Sequence, residues 1–250
     1  MSTADELVVH YANYIKGKVI IITGVSPGSL GAYFVQKAQQ TEAAIAASNP
    51  DIKTRILPLD LESLQSVCEA ATIVNEWSDI PVVDVLVNNA GKLVNEYSVT
   101  VDGFERQLAT NHLGHFLFTN LIMDKILASS ARRIINVSSD GHRLSPFHFE
   151  GYNFEVNGEY LVFNFLAKRL GEKHGLLAFS LHPGVILTNA VDNVDLATLP
   201  DRLPHNGAYL LDCRIADPLT DMIKPWATSP FEAEKLWRLS EELVGQKFLY

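Results

Sequence analysis

The feature that most constrains the fold is a short apolar run that leads directly into a glycine-rich turn. Residues Lys18 to Thr23 read KVIIIT, the near-continuous apolar pattern of a strand buried on both faces. The turn, Thr23 to Gly31, reads TGVSPGSLG, and a helical stretch from about Leu30 to Ser48 follows it. Glycines at a strand-to-helix junction permit a sharp turn and let a pyrophosphate approach the free amide groups of the helix N-terminus. The junction therefore predicts a dinucleotide-binding turn, with an ordinary Gly-Pro turn as the alternative.

Strand and helix patterns alternate along the rest of the chain. Strands are predicted at 54–59, 82–87, 133–137, 176–181 and 208–213, and helices at 61–77, 103–129, 160–174 and 230–244. This alternation predicts a doubly wound parallel sheet with helices on both faces, which is a Rossmann-like three-layer α/β/α fold. No internal repeat or linker interrupts the sequence, so we expect residues 1–250 to form a single domain.

Charge and apolar content narrow the classes of function. The formal net charge of −9 and the pI near 5.3 argue against a nucleic-acid partner, because phosphate binding needs clustered Lys and Arg. No stretch approaches the ~20 apolar residues of a membrane span, and the polar N-terminus lacks the apolar segment of a signal peptide. Cys68 and Cys213 have no metal-site or disulfide spacing, and Cys68 is expected to be a small buried residue of a helix. We therefore expect a cytoplasmic protein without a metal or a membrane span.

Five short motifs follow one another along the chain. They are Thr23-Gly24-x-x-x-Gly28, Asn88-Asn89-Ala90-Gly91, Asn111 within NHLGHF, Ser138-Ser139 after a strand, and Pro183-Gly184-x-Ile186-x-Thr188. Together these motifs resemble those of the short-chain dehydrogenase/reductase family. The C-terminal part of the chain, from about residue 206 to residue 237, is similar to fungal members of its retinol-dehydrogenase-like branch.

The resemblance implies an NAD(P)-dependent oxidoreductase that transfers a hydride between a nicotinamide and the carbonyl or alcohol of a small apolar molecule. NADP is the expected cofactor, NAD remains open, and a homodimer is common in that family. Ser139 would hold the substrate oxygen and stabilise charge there, and Asn111 would help to position a proton-relay water. The residues that the resemblance places on the cofactor are Gly24, Ser26, Gly28, Leu30, Gly31, Asp60, Leu61, Asn88, Ala90, Gly91, Pro183, Gly184, Ile186 and Thr188.

One part of the family pattern is missing after Ser139. The family uses a tyrosine acid/base whose pKa is lowered by a lysine one helical turn later, and Tyr-x-x-x-Lys spacing places both groups on one helix face. Here Val156 stands four residues after Tyr152, and Asn164 stands four residues after Tyr160. The nearest lysine on that predicted helix, Lys168, lies about 12 Å along the axis from Tyr160. Tyr160 is therefore the stand-in for the proton donor.

Two other stretches are shorter than the family pattern. Asp60 lies only 29 positions after Gly31, which leaves room for one helix and one strand where the family has two of each. Either the second strand is missing, which makes Asp60 an adenine-side contact, or residues 54–59 take its place beside the first strand. In the second case Asp60 would face the ribose hydroxyls and favour NAD. About twenty residues follow Thr188 before the last strand, too few for the usual substrate-covering segment.

Three hypotheses follow from these motifs and gaps. The chain is an active oxidoreductase, a catalytically silent relative that binds cofactor or a protein partner, or a chain misassembled from a longer gene. Two clusters stay outside that scheme. His112 and His115 are three residues apart on a predicted helix but have no metal-ligand spacing with nearby carboxylates. The aromatic residues between 147 and 160 are predicted to pack together, with a hydrophobic substrate wall as the alternative.

Overall fold

The structure of the protein is a computed structural model in which six strands form one sheet. It describes residues 15–24, 34–92, 96–139, 143–153, 174–182, 206–211, 214–217 and 219–250, with the side chains of 34–37 left out. The strands are β1 (Ile20–Ile22), β2 (Val85–Asn88), β3 (Arg133–Val137), β4 (Leu177–His182), β5 (Tyr209–Leu211) and β6 (Arg214–Ile215).

The strands lie in the sheet in chain order, from β1 at one side to β6 at the other. The first five run parallel, and only β6 runs antiparallel to its neighbour. Alternate residues of each strand face opposite sides, and both sides are buried, with Leu86 0% exposed on one and Phe179 1% exposed on the other. The predicted α/β class with a largely parallel, two-sided sheet is confirmed.

In the described ranges, helices lie between these strands along the chain, and the last two follow β6. They are α1 (Phe34–Ser48), α2 (Leu64–Glu76), α3 (Arg106–Leu108), α4 (Gly114–Leu121), α5 (Met123–Leu127), α6 (Pro225–Thr228) and α7 (Pro230–Leu243). A π-helical turn, Ala109–Leu113, joins α3 to α4. The last helix matches its predicted range within one residue. The predicted helix at 160–174 lies outside the described residues except for residue 174.

The single long helix predicted at 103–129 is wrong, because that stretch is broken in two places. The backbone widens into the π turn around Asn111, whose side-chain amide is engaged by the main chain of Lys92. A second break occurs at Ile122, whose dihedral angles (φ −102°, ψ 9°) leave the helical region between α4 and α5. The apolar spacing that predicted one helix persists across both breaks, so the sequence pattern does not reveal them.

The predicted strand at 54–59 is also wrong, since these residues join no strand of the sheet. Side chains hold the segment in place: Thr54 donates to Glu42 at 2.8 Å, and Arg55 pairs with Asp79 while lying over the ring of Trp77. Leu57 and Leu59 pack against the main core from this segment. Within the described part of the chain, β1 therefore has a strand neighbour on one side only, which agrees with the expectation that one strand is missing.

The main core lies between one face of the sheet and helices α2, α4, α5 and α7. Helix α2 contributes the stripe Val67, Ala70, Ala71 and Val74, at the spacing of one helix face. Cys68 follows Val67 and therefore points about 100° away from this stripe. It is exposed, so the expectation that Cys68 is buried is wrong. No helix in the described ranges has the length and apolar content to cross a bilayer.

Candidate active site

The carboxyl ends of β1, β2 and β3 bring the predicted site residues to one edge of the sheet. β1 leads into Thr23 and Gly24, β2 into Asn89 and Ala90, and β3 into Ser139. Because parallel strands end at the same edge, three of the five motifs converge there.

Gly24 and Ala90 form the closest approach at this edge. Gly24 has φ +73°, a backbone conformation that residues with a Cβ rarely adopt. A Cβ at position 24 would also lie 2.6 Å from the Cα of Ala90. Two independent constraints therefore require glycine at the start of the turn.

The hydroxyl of Thr23 ties the two strand ends together. Its Oγ1 accepts the main-chain N–H of Asn89 at 3.0 Å and that of Ala90 at 2.9 Å. The Asn89 side chain donates to the Thr23 carbonyl at 2.9 Å. Thr23 is only 4% exposed, so these bonds form in a buried setting where an unpaired amide would be costly. The Asn88-to-Gly91 segment is thus fixed against the start of the glycine-rich turn.

Asn88 uses its side chain within the sheet. The Nδ2 group donates to Oδ1 of Asn136 at 2.9 Å and to the Thr119 hydroxyl at 3.1 Å. These bonds link β2 to its neighbour β3 and to helix α4. Asn88 therefore supports the site edge from within the sheet.

Asn111 holds the chain just beyond Gly91. Its Oδ1 accepts the main-chain N–H of Lys92 at 2.9 Å, and its Nδ2 donates to the Lys92 carbonyl at 2.9 Å. A Cβ at Gly91 would lie 3.6 Å from the same Oδ1, an ordinary contact. The π turn places this side chain against the β2 loop. Both polar atoms of the Asn111 side chain therefore bond the main chain of Lys92, and the water-positioning role stays a prediction.

A charged cluster next to Asn111 was not predicted from the sequence. The ammonium of Lys92 contacts a carboxylate oxygen of Glu62, and the Nε of Arg106 lies 2.9 Å from the other oxygen. Desolvation is the main cause that lowers the pKa of Lys92, and the nearby Arg106 acts in the same direction. The pattern of one carboxylate shared by two cations joins residues 30 or more positions apart, which local spacing does not reveal.

Two histidines lie at the π turn: the half-buried His112 is within it, and the buried His115 follows it in α4. Nε2 of His115 lies 2.8 Å from the Thr23 hydroxyl, and Nε2 of His112 lies 2.7 Å from that of Ser240 in α7. Burial lowers the pKa of each ring to about 4, so both are neutral at pH 7. No group of three metal-ligating side chains occurs within the described ranges. The His-x-x-His spacing was the available sequence signal, but it predicted no partner for either ring.

Ser139 and Asp60 lie at the same edge as exposed residues. Ser139 is the second residue after β3, and the preceding Ser138 is fixed by its N–H bond to the Leu181 carbonyl at 2.7 Å. Asp60 Oδ1 accepts the N–H of Glu62 at 2.9 Å in the turn before α2. Leu61 is buried against α4, where a Cβ at Gly114 would lie 2.6 Å from its carbonyl oxygen.

A family model described as short chain dehydrogenase matches residues 18–197. The match covers more than half of the chain and includes all five motifs. This chain belongs to the short-chain dehydrogenase family.

Curated members of the short-chain dehydrogenase family match most of the chain. Retinol dehydrogenase 12 of Mus musculus is 29% identical, covering 92% of this chain and 87% of its own length. Short-chain dehydrogenase/reductase prx1 of Penicillium roqueforti is 31% identical, covering 92% of this chain and 86% of its own length. The resemblance to the retinol-dehydrogenase-like branch is confirmed.

These alignments also show how much shorter this short-chain dehydrogenase is. The alignment with retinol dehydrogenase 12 runs over 279 positions, whereas 92% of 250 residues is about 230, so about 50 positions face gaps in this chain. The sequence comparison thus agrees with the expectation of internal shortening.

Solved structures of the same fold agree with the architecture. A putative uncharacterized protein from Mycobacterium Paratuberculosis superposes with a TM-score of 0.64 at 24% identity, covering 94% of this chain and 96% of its own. The NADPH-bound carbonyl reductase from chicken fatty liver superposes with a TM-score of 0.54 at 18% identity, covering 80% of this chain and 98% of its own.

Several residues predicted for the short-chain dehydrogenase site lie outside the described residues, and they remain predictions. The described part brings together Gly24, Ala90, Gly91 and Asn111, with Asn88 beneath them and Ser139, Asp60 and Leu61 along the same edge. The predicted residues outside it are Ser26, Gly28, Leu30, Gly31, Tyr160, Pro183, Gly184, Ile186 and Thr188.

The aromatic cluster is a packing feature in its described part. Phe147 is 7% exposed and meets Phe149 edge-on, with ring centroids 4.8 Å apart. Both rings and Tyr152 belong to a small core with Leu236 of α7. The packing interpretation is confirmed for these three rings, and Phe154 and Tyr160 lie outside the described residues.

Proposed function

We propose that the protein is an NAD(P)-dependent oxidoreductase acting on the carbonyl or alcohol of a small apolar molecule. The observation that carries this proposal is the joining of Gly24, the Asn88-to-Gly91 segment and Asn111 at one sheet edge. Family membership supports the reaction class. When bound, the cofactor supplies or accepts the hydride.

The residues at the edge fit a dinucleotide. Gly24 lets the end of β1 approach Ala90 more closely than a residue with a Cβ could, and helix α1 follows the turn after β1 along the chain. Small residues at these positions permit backbone contact with the cofactor. We propose NADP as the cofactor, supported by the carbonyl reductase described as NADPH bound and by a metagenomic short-chain oxidoreductase described as in complex with NADP. NAD is the alternative, because the Asp60 carboxylate is exposed at this edge and could accept ribose hydroxyls.

The catalytic groups of the proposal are Ser139, Asn111 and Tyr160. In the reductive direction the carbonyl carbon gains a hydride and its oxygen gains a proton. The Ser139 hydroxyl would donate a hydrogen bond to that oxygen and stabilise its developing charge. Tyr160 would deliver the proton, while Asn111 shapes the loop after Gly91. Tyr160 would act without a lysine four residues later, and its phenol would therefore be a weaker acid at pH 7.

A catalytically silent, cofactor-binding relative is the second candidate. It is favoured by the sequence after Ser139, where no tyrosine is followed by a lysine four residues later. A misassembled chain is the third candidate, favoured by the single strand neighbour of β1 within the described ranges. An unpaired sheet edge favours aggregation, so this third candidate predicts poor solubility and non-cooperative unfolding.

The decisive experiment combines turnover with cofactor binding. Purified protein is given NADPH and a panel of apolar ketones and aldehydes, and NADPH consumption is followed by absorbance. The proposal expects turnover that falls at least about 100-fold in Ser139→Ala, because an oxyanion-stabilising donor is lost. Ser138→Ala is the matched control and should retain activity. A change in NADPH fluorescence without turnover would support the silent relative. The absence of both binding and turnover would overturn both candidates.

A further inference from the structure

We propose that His115 is a positioning residue that aligns the cofactor edge and the π turn. This inference rests on the proposed function, since it assigns His115 a role in the affinity for NADP(H). The ring joins Thr23, at the end of β1, to the turn that carries Asn111. It is 6% exposed, so water does not compete for its two nitrogens.

The Thr23 hydroxyl has a single hydrogen, and its direction is set by the groups around it. A hydroxyl has one donor and two acceptor lone pairs. The N–H groups of Asn89 and Ala90 both donate to this oxygen and occupy both lone pairs. The hydroxyl hydrogen must therefore point to an acceptor. Nε2 of His115 lies at 2.8 Å, whereas the alternative acceptor, the Val87 carbonyl, lies at 3.5 Å.

The bond from Thr23 fixes which nitrogen of the His115 ring carries the proton. Since Nε2 accepts from Thr23, the ring proton must be on Nδ1. Burial lowers the pKa of His115, and the main chain of Asn111, four residues earlier, acts in the opposite direction. A partner that favours the protonated ring is an acceptor, so Nδ1–H donates to the Asn111 carbonyl. Both nitrogens of the neutral ring are thereby satisfied, and burial keeps the ring neutral.

His115 turns the Thr23 hydroxyl so that its lone pairs face the Asn89 and Ala90 amides. The same ring holds the main chain of Asn111, whose side chain fixes Lys92 after Gly91. One side chain thus sets both ends of the Asn88-to-Gly91 segment. Without it, the hydroxyl has no well-placed acceptor, and the segment loses its fixed position beside Gly24.

Two conservative variants separate the two bonds. Gln places an amide group near the position of Nε2, so His115→Gln can still accept from Thr23. Asn places an amide near the position of Nδ1, so His115→Asn can bond the Asn111 carbonyl but leaves Thr23 without its acceptor. His112→Gln is the matched control, because this half-buried histidine of the same helical stretch bonds Ser240 of α7.

The test measures NADPH affinity by fluorescence titration and amide hydrogen exchange at Asn89 and Ala90 by NMR. We expect His115→Asn to weaken NADPH binding about tenfold and to speed exchange at both amides, as for the loss of one buried hydrogen bond. His115→Gln should stay within about threefold of the original protein. His112→Gln should lower the melting temperature without changing affinity or exchange.

The outcomes distinguish this inference from the proposed function. If the original protein does not bind NADPH, the cofactor role fails for the whole chain, and unchanged exchange in His115→Asn would show that the alignment fails as well. If the original protein binds and His115→Asn binds equally with unchanged exchange, the inference is overturned. If His115→Asn does not fold, the tautomer of His115 is read from the ring 15N chemical shifts of the original protein: a proton on Nδ1 supports the inference, and a proton on Nε2 overturns it.

Discussion

The Cα of Ala90 lies 2.6 Å from the position that a Cβ on Gly24 would occupy. The two residues belong to different strand ends, 66 positions apart in sequence, and both are at the edge proposed to hold the cofactor. Gly24 also has φ +73°, so its role combines a conformational and a spatial requirement.

Gly24→Ala should therefore abolish most cofactor binding and destabilise the protein. The backbone conformation costs about 1 kcal/mol for a residue with a Cβ, and the overlap with backbone atoms adds about 1–3 kcal/mol. Gly103→Ala is the matched control, because Gly103 has φ +82° but a Cβ at this position would meet nothing within 4 Å. Chemical denaturation of both variants gives their losses in the free energy of unfolding, and the difference between them is the cost of the overlap with Ala90. Equal losses would show that the overlap has no cost.

Glu62→Gln should destabilise the protein more than Lys92→Met does. Glu62 is contacted by both Lys92 and Arg106, so its loss leaves two half-buried cations side by side. We expect a loss of about 1–2 kcal/mol in the free energy of unfolding for Glu62→Gln. The double variant Glu62→Gln/Lys92→Met should recover part of that loss, because one cation is then removed. Additive losses in urea denaturation would show that the pair is not coupled.

Stability should fall as the pH is lowered from about 6.5 to about 4. His112 and His115 have a pKa of about 4 when folded and near 6.5 when unfolded, so the unfolded chain binds more protons in this window. Each histidine contributes at most about 1.4 kcal/mol per pH unit. The lowered pKa of Asp79, and that of Asp221 at about 2, act at lower pH. The free energy of unfolding, measured by urea denaturation at several pH values from 7 to 4.5, should fall less steeply with decreasing pH in His112→Gln than in the original protein.

Met222→Gly should raise the stability of the protein. Met222 is the non-glycine residue with positive φ (53°) in the described ranges, and its side chain is 62% exposed, so little packing is lost on its removal. Glycine adopts this conformation without steric cost, and a gain of about 0.5–1 kcal/mol is expected. Met222→Ala keeps the strain while removing the side chain. The melting temperature of Met222→Gly should be higher than that of the original protein and that of Met222→Ala. A Met222→Ala variant as stable as Met222→Gly would show that the backbone at this position is not strained.

The sequence was informative where structure depends on near neighbours. β3 occupies the predicted residues 133–137, because the local apolar pattern determines it. α7 begins after the Ser229 cap and ends one residue before its predicted end. The extended segment 54–59 has a strand's composition, but forming a strand requires a partner, which local residues do not specify. The π turn depends on the contact between Asn111 and Lys92, 19 positions away.

The same contrast between near neighbours and distant partners applies to the candidate site. Gly24, Ala90 and Asn111 come from three different motifs and lie at one edge, because each motif occurs next to the end of a strand or on the following helix, and their roles stay predictions. The sequence shows His115 only as one of two histidines three positions apart, because its hydrogen-bond partner Thr23 lies 92 positions away. The two cations on Glu62 were missed for the same reason. Pairings over long sequence separations depend on the folded topology.

The amide pair of Asn88 and Asn136 bears on how the sheet finds its alignment. These residues are direct partners in the parallel register of β2 and β3, amid apolar neighbours that would pack acceptably in several alignments. A shift by one residue would place the Asn88 amide beside Ile135 or Val137 and strand a buried polar group, at a cost of about 1–3 kcal/mol. A shifted register of β2 and β3 is therefore less stable than the native one, and this difference favours separation of the strands and pairing in the native register.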